Sequence, residues 1–148
     1  CLLYANLLLR GRSLCNFALD GDSPAMQARQ AFEEAGSDLR RCVALGERMG
    51  GKSLAEALMA MGYLHYCRAG CTINAQGCSM SGEISIYDAR GIYQEAEAFY
   101  SRSLALSIEL GGEEHQDAIR MMCNIALVYN AMSRLALPDR LQSLLQAR

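Results

Sequence analysis

The stretch that decides the fold runs from Gly91 to Tyr129 and reads GIYQEAEAFYSRSLALSIELGGEEHQDAIRMMCNIALVY. Small and large residues alternate in it at spacings of three and four, and they are Tyr93, Ala96, Tyr100, Ser103, Ala126 and Tyr129. In a helix this spacing puts side chains on one face, where the large side chains of one helix fit gaps on its neighbour. The stretch therefore predicts two closely packed antiparallel helices. Such an arrangement presents grooves to other proteins and seldom carries out chemistry.

The composition predicts a single all-α domain over residues 1–148. A chain of 148 residues of which 51% are hydrophobic can fill one core. Tryptophan is absent and aromatic residues make up only 7%, so alanine, leucine and methionine must do most of the packing. These residues favour helix over strand, and only two prolines interrupt the chain.

The charge and the longest apolar run argue against nucleic acid and membrane as partners. The formal net charge is −2 and the pI is about 5.7, so the chain lacks the basic surface that nucleic-acid binding requires. The longest apolar run, residues 1–9, is interrupted by Asn6 and is too short to span a bilayer. It also lacks the basic flank and the cleavage site of a signal peptide.

The cysteines predict a reducing, cytoplasmic location. There are seven, an odd number, and they are scattered through segments with helical periodicity. No Asn-x-Ser/Thr glycosylation acceptor occurs in the sequence. The chain begins at Cys1, inside an apolar run and without an initiator methionine, so we expect it to be a piece of a longer protein.

The apolar periodicity predicts six helices in three pairs. They cover about residues 2–17, 25–49, 53–69, 89–110 and 114–132, with a short last helix that Pro138 opens and that carries Leu141, Leu144 and Leu145. Gly50 and Gly51 stop the second helix, and Ser53 with Glu56 three residues on forms a capping box for the third. The periodicity vanishes over residues 70–90, which we predict as a long inserted loop with 84–87 briefly extended.

Two pairs of matching segments favour an internal repeat. Met61-Gly62 in the third helix matches Ile125-Ala126 in the fifth, 64 residues later. The segment Ala28-x3-Phe32-x2-Ala35 matches Ala96-x3-Tyr100-x2-Ser103 in residue type. Because the two matches are independent, chance is a poor explanation for them.

These residues resemble the tetratricopeptide repeat family, and the stretch over 91–134 is most similar to the longer repeats of kinesin light chains and related scaffolds. In those repeats a Leu-Gly-x-x-His-Pro-Asp connector introduces an Asn-Leu-Ala-x-x-Tyr helix. The counterparts here are Leu110-Gly111, His115-Gln116-Asp117 and Asn124-Ile125-Ala126-Leu127-Val128-Tyr129, with Gln116 in place of the usual proline. The family period of about 34, together with the inserted loop and a slightly longer connector, accounts for the separation of 64 residues.

The resemblance implies an α-solenoid of about two and a half repeats that acts as a non-catalytic scaffold. A scaffold of this kind would stack on further repeats or on neighbouring subunits, as in a cytoskeletal or ciliary assembly. Pro138 stands where a helix-packing alanine is usual in the family, so the last helix is expected to be a cap or a truncated edge. No cofactor is implied.

In this family the first helix of each pair lines the concave surface, and the resemblance therefore places the partner-binding residues on the third and fifth helices. By helical spacing, the face of the fifth helix carries Arg120, Cys123, Leu127 and Asn130. The matching positions 64 residues earlier are Glu56, Met59, Tyr63 and Tyr66. Such a mixture suits a peptide or a partner helix. The alternative is that these are ordinary surface residues and contacts between repeats.

One local pattern argues for an enzyme instead. Residues 46–53 read GERMGGKS, which satisfies the Walker A pattern with Lys52, the only lysine, at the phosphate-binding position. A genuine P-loop follows a buried strand in a parallel sheet. Residues 41–45 are the one candidate strand, and they continue the helical stripe that begins at Ala28. The other interpretation is a glycine helix stop followed by a serine cap.

A small zinc-stabilised module is the third hypothesis. The candidate ligands are His65, Cys67, Cys71 and Cys78, but structural zinc sites have tighter cysteine spacing than Cys71 and Cys78 show. The alternative is a buried Cys67 with two loop cysteines. No arrangement in the sequence places a nucleophilic cysteine beside a histidine.

Overall fold

The described part of the chain is all-α, as predicted. The structure, a computed structural model, describes residues 2–19, 25–77, 86–113 and 115–135, and no strand occurs among them. The five helices are α1 (Leu2–Leu19), α2 (Ala25–Met49), α3 (Gly51–Gly77), α4 (Ile86–Gly111) and α5 (Gln116–Leu135). None of the helices in these residues is both long and apolar enough to cross a membrane.

The predicted boundaries hold best for α2 and worst around the inserted loop. Helix α3 continues to Gly77 and α4 begins at Ile86, so residues 70–77 and 86–90 are helical and not loop. The packing of α3 continues past its predicted end at Ala69, since the Cys71 thiol contacts the carbonyl oxygen of Ala18 at 3.8 Å. The sequence pattern does not record this contact with α1.

Smaller corrections follow at the same places. Ile86 and Tyr87, predicted as extended, belong to α4, and Ser53, predicted as a cap, lies inside the first turn of α3. Residues 78–85 and the short helix predicted from Pro138 lie outside the described residues.

The turn between α2 and α3 consists of Gly50 alone. Its φ is +75° and that of Gly51 is +49°, left-handed conformations that favour glycine. The Gly50 N–H donates to the carbonyl oxygen of Gly46 at 2.7 Å, which ends α2. A Cβ at Gly46 would lie 2.9 Å from the Cα of Leu54, so this glycine lets the two helices cross closely. The predicted glycine stop is confirmed.

Successive helices run antiparallel and pack in chain order. The Cys42 thiol, near the end of α2, contacts the carbonyl oxygen of Tyr4, near the start of α1, at 3.7 Å. Likewise Ser103 Oγ in α4 donates to the carbonyl oxygen of Ala55 in α3 at 2.8 Å. Helix α1 also contacts α3 and runs parallel to it, because Tyr4 donates to the Ser53 carbonyl at one end and Cys71 reaches Ala18 at the other.

Two main core clusters form, and α3 contributes to both. The first joins α1, α2 and α3 and contains Cys15, Ala18, Ala31, Phe32, Ala35, Leu39, Ala60, Met61, Leu64 and Cys67. The second joins α3, α4 and α5 and contains Met59, Ala69, Tyr93, Ala96, Tyr100, Met121 and Val128. The predicted packing of small against large residues is thus present between α3 and α4. It is absent at Ala126 and Tyr129, which are exposed.

Candidate functional site

A half-open cleft of about 300 Å³ lies where α3, α4 and α5 meet. The residues that line it are Tyr66, Tyr93, Leu127, Asn130, Ala131, Arg134 and Leu135. Five of these seven lie on α5 at spacings of three and four, so one flank of that helix forms a wall of the cleft.

Two tyrosines form the aromatic part of the cleft. The rings of Tyr66, on α3, and Tyr93, on α4, have centroids 5.7 Å apart and are tilted by 58°. Tyr93 is only 4% exposed. Burial, together with Tyr66 and nearby thiols, raises the pKa of Tyr93, so its phenol stays neutral at physiological pH. This side of the cleft is therefore uncharged and mainly apolar.

The α5 wall combines an exposed leucine with polar groups. Leu127 is 51% exposed, and several other large apolar side chains of the described residues are exposed as well. Asn130 and Arg134 follow it on the same side, one turn apart, and both are exposed. Within the described residues no carboxylate pairs with the Arg134 guanidinium. The cleft thus offers apolar contact, the amide of Asn130 and the guanidinium of Arg134.

Three of the predicted partner-binding residues come together in this cleft: Tyr66, Leu127 and Asn130. Arg120 does not line it, because its guanidinium pairs with Asp117 at 3.3 Å near the start of α5. Exposed Cys123 does not line it either.

The other three lie along α3 outside the cleft, beside α1. Met59 is buried in the second core cluster, with the Arg12 guanidinium 4.0 Å from its sulfur. The Tyr63 hydroxyl donates to Oδ1 of Asn16 at 3.0 Å, and burial raises its pKa to about 12. Glu56 is half-buried. The predicted continuous binding face is therefore divided, because α1 covers part of it.

Sequence reasoning missed the four other lining residues, Tyr93, Ala131, Arg134 and Leu135. The three on α5 could have been predicted from the sequence, because they continue the predicted stripe by one turn from Leu127 and Asn130. Tyr93 had no such signal: its spacing identified it as a packing residue, and only the approach of α3 and α5 brings it to the cleft.

No protein-family model, no curated protein and no solved structure matches the chain. The interpretation of the cleft therefore depends on its own geometry. Its described lining contains no histidine, cysteine, serine or carboxylate, the side chains that most often act as nucleophile or general base. The lining provides an apolar contact surface with the polar side chains of Asn130 and Arg134 at its edge.

The Walker A pattern has the local structure of a helix junction. Residues 41–45, the strand that a P-loop requires, lie within α2. Residues 46–53 form the end of α2, the Gly50 turn and the first turn of α3. Gly46 and Gly50 are needed there for the helix crossing and the turn. The nucleotide-binding hypothesis required a strand over residues 41–45, and the structure has a helix there.

The candidate zinc ligands have other partners. Nδ1 of His65 lies 2.9 Å from Oε2 of Glu95, although the two are not aligned as a hydrogen bond. The imidazole ring of His65 stacks on the ring of Phe99. Burial raises the pKa of Cys67 to about 12, which disfavours the thiolate that zinc binds. Across the described residues no three His, Cys, Asp or Glu side chains lie close enough to hold a metal ion. Cys78 lies outside those residues.

Proposed function

We propose that the chain is a tetratricopeptide-like α-solenoid of about two and a half repeats and that it acts as a non-catalytic binding module. Its partner, a peptide or a segment of a neighbouring subunit, would bind in the cleft between α3, α4 and α5. The observation that carries the proposal is the meeting of Tyr66, Leu127 and Asn130, predicted binding residues from two helices, around one half-open cleft.

The packing supports the repeat interpretation. Helix α3 packs on α2 through Ala60, Met61, Leu64 and Cys67. The residues 64 positions later are Asn124, Ile125, Val128 and Ala131, and the last three of these pack in the cluster that α5 shares with α4. Helices α3 and α5 therefore use matching positions against the preceding helix. The matched pairs Phe32–Ala35 in α2 and Tyr100–Ser103 in α4 are buried as well.

The chemistry of the cleft supports binding of a polypeptide. A volume of about 300 Å³ is at the lower end of the range for small-molecule pockets, and the cleft is only partly enclosed. Aromatic residues and arginine are the side chains that most often dominate the energetics of protein interfaces, and here they surround an exposed leucine. An apolar side chain of the partner would contact Leu127 and Tyr66, while its backbone or an acidic group would contact Asn130 and Arg134.

Selection from a library of random peptides tests the proposal. We expect peptides to be enriched on the wild-type chain and to bind Leu127→Glu about tenfold or more weakly, because a charge would be placed in the apolar part of the contact. Leu9→Glu is the matched control, since Leu9 is 71% exposed on α1 and remote in sequence from the cleft residues. Fluorescence polarisation of the synthesised peptides gives the dissociation constants.

Two results would overturn the proposal. One is that no peptide is enriched on the folded wild-type chain. The other is that the enriched peptides bind Leu127→Glu and Leu9→Glu equally well, which would place the binding surface elsewhere.

A further inference from the structure

Three cysteine thiols lie at the interface between α1 and α3, and two of them belong to α3. On that helix Tyr63, Cys67 and Cys71 recur every four residues and so lie along one side. The Tyr63 hydroxyl donates to Oδ1 of Asn16 on α1 at 3.0 Å. The Cys71 thiol contacts the carbonyl oxygen of Ala18, also on α1, at 3.8 Å. Cys67 lies between these two contacts, and it therefore faces the same stretch of α1.

The third thiol is that of Cys15, which belongs to this stretch of α1. Cys15 is fully buried in the first core cluster together with Cys67, which is 3% exposed, and both are free thiols. Because α1 and α3 run parallel, the contacts at Asn16 and Ala18 fix the register of the two helices, and that register sets Cys15 opposite Cys67. The pKa of Cys67 agrees with this placement. Burial raises it most, and the Cys15 thiol adds to the rise, which requires the two thiols to be close.

Cys67 has a second neighbour in Cys71, but helix geometry disfavours a bond between these two. Side chains four residues apart on a helix have Cβ atoms about 5–6 Å apart, whereas the Cβ atoms of a disulfide lie about 3.5–4.5 Å apart. A bond between Cys67 and Cys71 would therefore have to distort α3. Cys15 is on another helix, so a small shift between α1 and α3 is enough to join it to Cys67.

We propose that Cys15 and Cys67 are an oxidisable pair whose disulfide joins α1 to α3, with hydrogen peroxide or another small peroxide as the oxidant. The thiolate of one cysteine attacks a peroxide oxygen, which gives a sulfenic acid and releases hydroxide. The thiol of the other cysteine then displaces the sulfenic hydroxyl, which leaves as water, and the S–S bond forms. In total the two thiols lose two electrons and two protons, and one hydrogen peroxide becomes two waters.

Burial makes this pair slow to react in both directions. It raises the pKa of Cys15 to about 11 and that of Cys67 to about 12, so the thiolate is rare at neutral pH. The disulfide, once formed, is shielded in the same way from the thiolates of reductants. The pair is therefore a lasting link between two helices and not a rapid sensor. It would also hold α1 in place beside Tyr63. The proposal does not depend on what the cleft binds.

Trypsin cleavage puts the three cysteines on different peptides, so the bond can be mapped directly. The peptides are 13–29 with Cys15, 53–68 with Cys67 and 69–90 with Cys71. The folded full chain is incubated with dilute hydrogen peroxide, alkylated in denaturant and digested without reduction. Mass spectrometry should then find peptide 13–29 joined to peptide 53–68. Peptide 53–68 joined to 69–90, or still unpaired after prolonged treatment, would overturn the proposal.

The melting temperature shows whether the bond forms within the native fold. A cross-link that closes a loop of about 50 residues should raise it by roughly 5–15 °C relative to the reduced chain. Cys15→Ala, treated with peroxide in the same way, should show no rise and corrects for oxidation of methionine. Cys123→Ser removes an exposed thiol of α5 and should keep the full rise. A cross-linked chain that melts no higher than the reduced chain would show that Cys15 and Cys67 do not face each other in the fold, and the proposal would be wrong.

Discussion

The ring of Tyr100 lies against the backbone of Gly62, so that a Cβ at position 62 would lie 2.7 Å from both Cδ1 and Cε1 of the ring. Tyr100 is nearly fully buried and its pKa is raised strongly by burial, so the ring has no room to withdraw toward solvent. The contact sets the distance between α3 and α4 at the centre of the second core cluster. Residue 62 is therefore a glycine for reasons of packing and not of backbone conformation.

Gly62→Ala should destabilise the fold even though alanine is the better helix former. The gain in helix propensity is about 1 kcal/mol, whereas overpacking against a buried ring costs about 1–3 kcal/mol. We expect thermal unfolding, followed by circular dichroism, to shift to lower temperature. The matched control is Gly91→Ala in α4, where a Cβ would meet nothing within 4 Å, and that change should raise the melting temperature. A more stable Gly62→Ala would contradict the packing argument.

Two buried serines of α4 should differ in how much they contribute to the free energy of unfolding. Ser103 donates to the Ala55 carbonyl on another helix, whereas Ser107 donates to the carbonyl of Ser103 in its own helix. Ser103→Ala should lower the free energy of unfolding by about 1 kcal/mol, because an interhelical hydrogen bond is lost. Ser107→Ala should be close to neutral, since alanine favours the helix and the lost bond is local. Urea denaturation of both variants measures the difference, and equal losses would count against it.

The half-buried His65 should make the fold sensitive to mild acid. Burial lowers its pKa from the ordinary value of 6.5, Glu95 acts in the opposite direction, and Arg68 and Arg40 add to the lowering. The unfolded chain then binds a proton at a higher pH than the folded chain does. Stability is therefore full above about pH 6.5 and falls as the pH decreases, by up to about 1.4 kcal/mol per pH unit.

His65→Gln provides the test of that assignment. Between about pH 7.5 and about pH 5.5 the variant should lose less stability than the wild type, because the titrating group is gone. Glu95→Gln should increase the loss, since it removes the carboxylate that favours protonated His65. Denaturant titrations at several pH values provide the free energies. Parallel curves for wild type and His65→Gln would refute the prediction.

The described cysteines should differ widely in reactivity. Cys123 is exposed on α5, whereas Cys15, Cys42 and Cys67 are buried. Burial raises the pKa of Cys15 and of Cys42 to about 11 and that of Cys67 to about 12, so few thiolates form at neutral pH. Brief treatment with iodoacetamide followed by peptide mass spectrometry should find Cys123 labelled and these three protected. All four should be labelled in denaturant, and early labelling of Cys67 would argue against its buried position.

The sequence predicted the helices where local pattern and packing agree. Residues 25–49 keep one apolar stripe from Ala28 to Cys42 and end at glycine, and α2 has those bounds. The segment after Ala69 combines glycines with polar residues and lacks a stripe, so local pattern indicated a loop. Helix α3 nevertheless continues to Gly77, and no local pattern records its contacts with α4 at Ala69 and with α1 at Cys71.

The cleft was partly predictable for a related reason. Spacing along one helix placed Leu127 and Asn130 on a common face, and the internal match added Tyr66 on α3. The sequence did not indicate that Tyr63 would donate a hydrogen bond to Asn16 of α1. Nor did it indicate that Tyr93 would reach the cleft, because that depends on how three helices meet and not on the period of any one of them.

The sharing of α3 between the two main core clusters has a consequence for how the domain comes apart. Helix α3 supplies Leu64 and Cys67 to the first cluster and Met59 and Ala69 to the second. If α3 unfolds, both clusters therefore lose the residues that it contributes. The helix pairs therefore cannot melt one at a time as independent units, and denaturation becomes a single concerted transition. Amide protons near the middle of α3 would exchange with solvent only through that global event, whereas those of α5 would exchange through local fraying.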